Sequence, residues 1–165
     1  GTLAKSAEDL AHSELAFEPG SKWQYGPGLT VAGRIVEIVS EQAFDEFLTE
    51  RIFSPLDMHE TTFFPTSEQR ARTAVVYKPT EDKKEIEPGE SWIGVEETPN
   101  PSGGLSSTAG DLVRFYQMTL NGGELNGKRI LSQEAVAEMT SVQTGDVPKP
   151  LGFTPAANGD SVLPW

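Results

Sequence analysis

Apolar residues along this chain come in short periodic bursts, separated by polar stretches rich in glycine and proline. Over Gly28–Ser40, Leu29, Ala32, Ile35, Val36 and Val39 recur at helical spacing, which predicts a helix with one apolar face. Pro27 suits its first turn. Phe44, Phe47, Leu48 and Phe53 predict a second helix over 44–53 that buries those side chains, with Pro55 stopping it. A third is predicted over Ala109–Leu120, with Leu112, Phe115, Tyr116 and Thr119 inward, Thr108 and Asp111 at capping-box spacing and Gly122-Gly123 ending it. Weaker patterns predict a helix over 6–11 capped by Ser6 and a fourth from the Ser132 cap to Thr140. The β-rich runs 61–64 and 73–77 predict strands, and Asn126-Gly127 a tight hairpin. Residues 81–97 hold seven acids and two lysines and read as a long surface loop, and residues 146–165 as an irregular tail.

Composition narrows the classes. A length of 165 residues suits one domain with a buried core, taken here as residues 1–165. The formal net charge of −12 argues against a nucleic-acid partner, because phosphates demand basic patches, and against anionic membranes. No apolar run approaches a membrane span. With no cysteine there is no disulfide or thiol chemistry, so bacterial cytoplasm and periplasm stay equally open. His12 and His59 are the only imidazoles; His59 lacks the second histidine of a zinc-protease helix, and the acids of the loop lack calcium-loop register. No metal and no cofactor is expected.

Two blocks carry a resemblance. The first runs FEPGSKWQYGPGLTVAGRIVEIVSEQAFDEFLTERIFSPLDMHETTFF over residues 17–64. The second runs PSGGLSSTAGDLVRFYQMTLNGGELNGKRILSQEAVAEMT over residues 101–140. In order and spacing they resemble the serine β-lactamase, penicillin-binding protein and class C-type esterase superfamily, over roughly half of the chain. The resemblance implies an α+β, mainly α fold. It is the helical region of the β-lactamase/transpeptidase-like fold with short strands, lacking most of the β-sheet domain. It also implies hydrolysis of a lactam, ester or peptide through an acyl-enzyme. Tyr25 stands at the position of the family's acid/base tyrosine. The resemblance places Gly103, Gly104 and Ser106 at the rim of the substrate cleft, and the Tyr25 hydroxyl is expected to face a concavity shared with residues 103–108. Trp92, in the acidic loop, either overhangs that cleft or is an exposed loop tryptophan.

Departures from the pattern matter as much. Acylating members need Ser-x-x-Lys, a nucleophile with a lysine one helical turn later to take its proton. No serine of this chain has a lysine three positions on, and the later Lys-Thr-Gly type motif is absent too. A free phenol titrates near 10 and becomes a base only beside cations, which in the family those two motifs supply. The chain alone is therefore expected to be inactive and to be an internal segment of a longer hydrolase. Its partner is then a small-molecule acyl substrate in the full-length protein, and uncovered apolar surface would favour self-association. Many lactamases and peptidases read Tyr-x-Asn, with the amide on the substrate; here Pro27 replaces the asparagine, which tips the expectation toward esters. The alternative is a non-catalytic homologue that binds ligands or serves as a structural module. Run 103–108 lacks the lysine of a phosphate loop and otherwise reads as a turn leading into a helix with capping hydroxyls.

Overall fold

The computed structural model describes residues 2–82, 84–89, 98–143 and 145–147. Its helices are α1 (Leu3–Ala11), α2 (Gly28–Ser40), α3 (Phe44–Leu48) running into a π-helical turn (Thr49–Phe53), α4 (Ser67–Ala71), α5 (Ala109–Leu120) and α6 (Gln133–Met139). Two antiparallel hairpins complete it: β1 (Tyr77–Pro79) with β2 (Ile86–Pro88), and β3 (Glu124–Leu125) with β4 (Lys128–Arg129).

The core lies between the π-helical turn with the residues that follow it and α5. Phe53, Leu56, Met58 and Met118 are buried together, and Ile52, Phe115, Leu125 and Leu131 pack around them. The π-helical turn aims Phe53 inward: the Ser54 N–H reaches back to Thr49 O at 2.9 Å, five residues away, and the wider turn precedes Pro55. Phe63, also buried, meets Phe44 with ring centroids 5.9 Å apart. The β3–β4 hairpin turns on Asn126 and Gly127, both at positive φ (52° and 75°), the backbone that a two-residue hairpin loop requires.

Several expectations are corrected. α1 begins at Leu3 rather than at residue 6, because Thr2 Oγ1 accepts the Lys5 N–H at 3.1 Å and caps the helix earlier than Ser6 could. The predicted helix over 44–53 divides into α3 and the π-helical turn, and of its aromatic side chains only Phe53 is fully buried. α2 keeps its predicted bounds but turns another face inward. Leu29, Ile35 and Val39 are exposed, whereas Gly33 is buried. α5 also keeps its bounds and turns Phe115 to the core as expected, yet it buries Asp111 and Met118 and leaves Leu112 and Tyr116 exposed. The expected strand at 61–64 contributes one bridge, Thr62 to Ser106, and of 73–77 only Tyr77 joins a strand. Its partner Ile86–Pro88 lies inside the stretch expected to be loop; a three-residue exposed strand leaves no apolar pattern to read.

Candidate functional site

Tyr25 lies two residues before the Pro27 cap of α2. It is 76% exposed and lines a shallow hollow of about 290 Å³ with Leu15, Phe17, Pro19, Gln24 and Gly26. Its surroundings are thus the chain that leads into α2.

The turn at 100–104 docks on the first half of the same helix. The Gly103 N–H closes it onto Asn100 O at 3.1 Å, and the Ser102 N–H bonds the Asn100 side-chain oxygen at 3.0 Å. Gly104 sits at φ 90°, a conformation that glycine adopts without strain. Two contacts seat the turn on α2. The Thr30 and Ser102 hydroxyls are 3.0 Å apart, and Pro101 lies so close over Gly33 that a side chain there would overlap its ring. Gly33 is therefore required by the approach of Pro101, and Leu3 of α1 closes the same spot.

The segment that follows is fixed from the opposite side. Thr62 and Ser106 exchange backbone hydrogen bonds of 3.0 and 2.8 Å. Behind them Asp111, only 4% exposed, accepts from the Glu60 N–H and the Thr61 hydroxyl through Oδ2, each at 2.9 Å. Thr61 has one hydroxyl proton and gives it to Asp111, so the Ser107 hydroxyl, 2.8 Å away, donates to Thr61. Arg114 Nη1 reaches Asp111 Oδ1 at 3.3 Å, and Thr108 caps α5 by accepting the Asp111 N–H at 3.2 Å. The sequence suggested that Asp111 would complete a capping box with Thr108. Its carboxylate instead crosses to residues 60 and 61, which no local spacing foretells.

Beside this lies a larger hollow, about 440 Å³, whose lining includes Glu60, Thr62, Arg72, Leu105, Ser106 and Thr108. Arg72 Nη2 donates to Glu60 Oε2 at 2.8 Å and Gln69 Nε2 to the same oxygen at 3.2 Å. The Arg72 guanidinium first, and then Gln69, hold the Glu60 carboxyl below the usual carboxylate range, and Glu60 in turn raises Arg72.

Of the residues singled out in the sequence, Gly103 and Gly104 lie in the docked turn, Ser106 lines the larger hollow and Tyr25 the smaller one, so neither hollow is the concavity expected to join Tyr25 to residues 103–108. Trp92 lies outside the described residues. Among the described residues no serine hydroxyl is bonded to a lysine or histidine, and no group of three or more His, Asp or Glu is placed to hold a metal ion. No described helix is long and apolar enough to cross a membrane.

Comparison with known proteins bears on this geometry. The family model described as Beta-lactamase matches residues 2–161. Penicillin-binding protein 4 of Amycolatopsis lactamdurans is 34% identical over 119 residues, which cover 72% of this chain and 31% of that protein. Lovastatin esterase of Penicillium rubens is 41% identical over 69 residues, 42% of this chain and 17% of that protein. Among solved structures, the octameric penicillin-binding protein homologue from Pyrococcus abyssi superposes with a TM-score of 0.67 at 23% identity, covering 85% of this chain and 30% of that one. The chain spans about a third of the length of the first curated relatives it matches.

Proposed function

The chain belongs to the beta-lactamase family, and on that premise we propose that it forms the tyrosine-bearing helical wall of a serine acyl-hydrolase cleft. The fold, mainly helical with short strands, is that of the helical region of this family. In this reading the longer protein forms an acyl-enzyme on a serine supplied by a Ser-x-x-Lys segment outside these 165 residues. Tyr25 then moves the proton in acylation or deacylation. Gly103, Gly104 and Ser106 border the cleft, with Trp92 over it. The observation that carries the reading is the docking of the 100–104 turn on α2 through Thr30–Ser102 and Gly33–Pro101, which ties the rim to the helix that Tyr25 precedes.

The acyl substrate is a lactam, ester or peptide. Pro27, where an amide would grip an amide side chain, favours an ester, and the likeness to a lovastatin esterase is in keeping with that. The absence of Ser-x-x-Lys from the chain favours a second reading, a non-catalytic ligand-binding or structural homologue. Apolar side chains exposed on α2 support association of copies, as in the octameric Pyrococcus homologue.

Expression of the open reading frame that encodes this segment tests the proposal. A fluorophosphonate or penicillin probe should label one serine, in a Ser-x-x-Lys outside residues 1–165, and the isolated 165-residue chain should turn over neither nitrocefin nor p-nitrophenyl esters above a buffer blank. A stoichiometric adduct on a serine within these residues, or no labelling of the longer protein, would refute it.

A further inference from the structure

The antiparallel bridge between Thr62 and Ser106 brings residues 60–62 and 105–108 side by side. Thr61 turns inward to Asp111, while Glu60, Thr62, Ser106, Ser107 and Thr108 line the 440 Å³ hollow. The buried Asp111 carboxylate ties the Glu60 backbone and the Thr61 side chain in place behind this wall.

We propose that this hollow is a binding site for an uncharged, polyhydroxylated ring of pyranose size. It goes beyond the acyl-hydrolase reading, sharing with it the rim residue Ser106 but not Tyr25.

Four observations select that chemistry. First, the charges cancel. Glu60 and Arg72 are paired at 2.8 Å, so an anionic ligand would face Glu60 and a cationic one Arg72, with no unmatched countercharge for either. Second, hydrogen-bonding capacity of both signs is left over. The Ser106 hydroxyl makes no hydrogen bond among the described residues, and Thr62 Oγ1 accepts from the Phe64 N–H at 3.0 Å while keeping its proton to give. The bonds to Glu60 use Oε2, and Arg72 meets Glu60 through Nη2, so Oε1 and further guanidinium N–H groups remain. Neighbouring hydroxyls that each donate and accept fit such a set, whereas an apolar ligand would strip these groups of water without replacing its hydrogen bonds. Third, Val76 and Leu105 stand half-exposed on the wall and offer an apolar surface to the C–H face of a ring. Fourth, the volume falls within the range of small-molecule sites, about 300–1,000 Å³.

The test is a titration of the ¹⁵N-labelled chain with the methyl pyranosides of glucose, galactose and mannose, with acetate and methylammonium as charged controls. At least one glycoside should give saturable amide shifts centred on Thr62, Thr73 and Ser106, and neither ion should. Ser106→Ala and Glu60→Gln should each raise the Kd by about fivefold to tenfold, the loss of one hydrogen bond. Ser106→Ala removes a hydroxyl with no partner among the described residues, so its fold is expected to be intact and it decides the matter if Glu60→Gln unfolds. Three outcomes overturn the proposal: no saturable shift with any of the three sugars, shifts confined to residues 15–27, or an unchanged Kd in Ser106→Ala.

Discussion

Asp111 keeps a carboxylate where water scarcely reaches, and its acceptor capacity is spent on groups 50 residues away in sequence. Removing it would leave the Glu60 N–H and the Thr61 hydroxyl facing an empty acceptor position. Asp111→Ala should therefore cost about 2–3 kcal/mol, the upper part of the range of about 1–3 kcal/mol for a buried donor that loses its acceptor, because two donors lose theirs. Arg114→Ala, whose side chain is 44% exposed, should cost no more than about 1 kcal/mol, as for a surface ion pair. Denaturant titration of both variants checks this, and equal costs would mean that the stabilising group is the ion pair with Arg114 rather than the clamp on residues 60 and 61. The same residue shows what the sequence withheld. The positions of Tyr25, Gly103, Gly104 and Ser106 could be marked by likeness to a family, because those motifs are local. Asp111, Thr61 and Ser107 form their network across the fold, and nothing in the neighbouring residues of any one of them signals the other two.

At the level of elements, the bounds of α2 and α5 were legible and their inward faces only in part, since Phe115 packs on the core as expected. Periodicity marks the apolar side of a helix, but the contact is decided by what can approach. On α2 the closest approach is made at Gly33, which has no side chain to register in an apolar pattern yet admits Pro101 and Leu3. On α5 a charged residue and Met118 are buried, and the stripe of Leu112 and Tyr116 faces out. The β3–β4 turn was legible because Asn-Gly at positive φ is a purely local requirement. These placements fix an expected contrast. Met118→Ala, at a site with 0% exposure, should cost about 2–5 kcal/mol through the cavity it leaves. Ile35→Ser and Val39→Ser, at sites 55% and 80% exposed, should each fall within about 0.5 kcal/mol of the parent. Thermal or denaturant unfolding in dilute solution measures all three, and α2 costs matching that of Met118→Ala would show that this face is covered in solution.

Taken whole, the molecule shows Leu29, Ile35 and Val39 on α2 and Leu112, Tyr116 and Leu120 on α5, while carrying a net charge of −12. Exposed apolar patches beyond a few hundred Å² tend to find a partner, and like charge opposes that partner being a second copy. Association should therefore grow with salt, which screens repulsion beyond about 10 Å at roughly 0.1 M. Sedimentation velocity at low and high ionic strength should show a shift toward a dimer at high salt; a monomer at both would mean that the chain needs no cover for these faces. The account as a whole turns on Tyr25 as a proton-transferring group in an acyl-enzyme cleft. The most direct measurement is the rate of acylation and deacylation of the longer protein with and without Tyr25→Phe, on a p-nitrophenyl ester. A loss of about 10²-fold or more in either step, with unfolding behaviour unchanged, is the predicted result, in keeping with the removal of a general acid or base. Unchanged rates would contradict it and leave Tyr25 an exposed residue of the chain leading into α2.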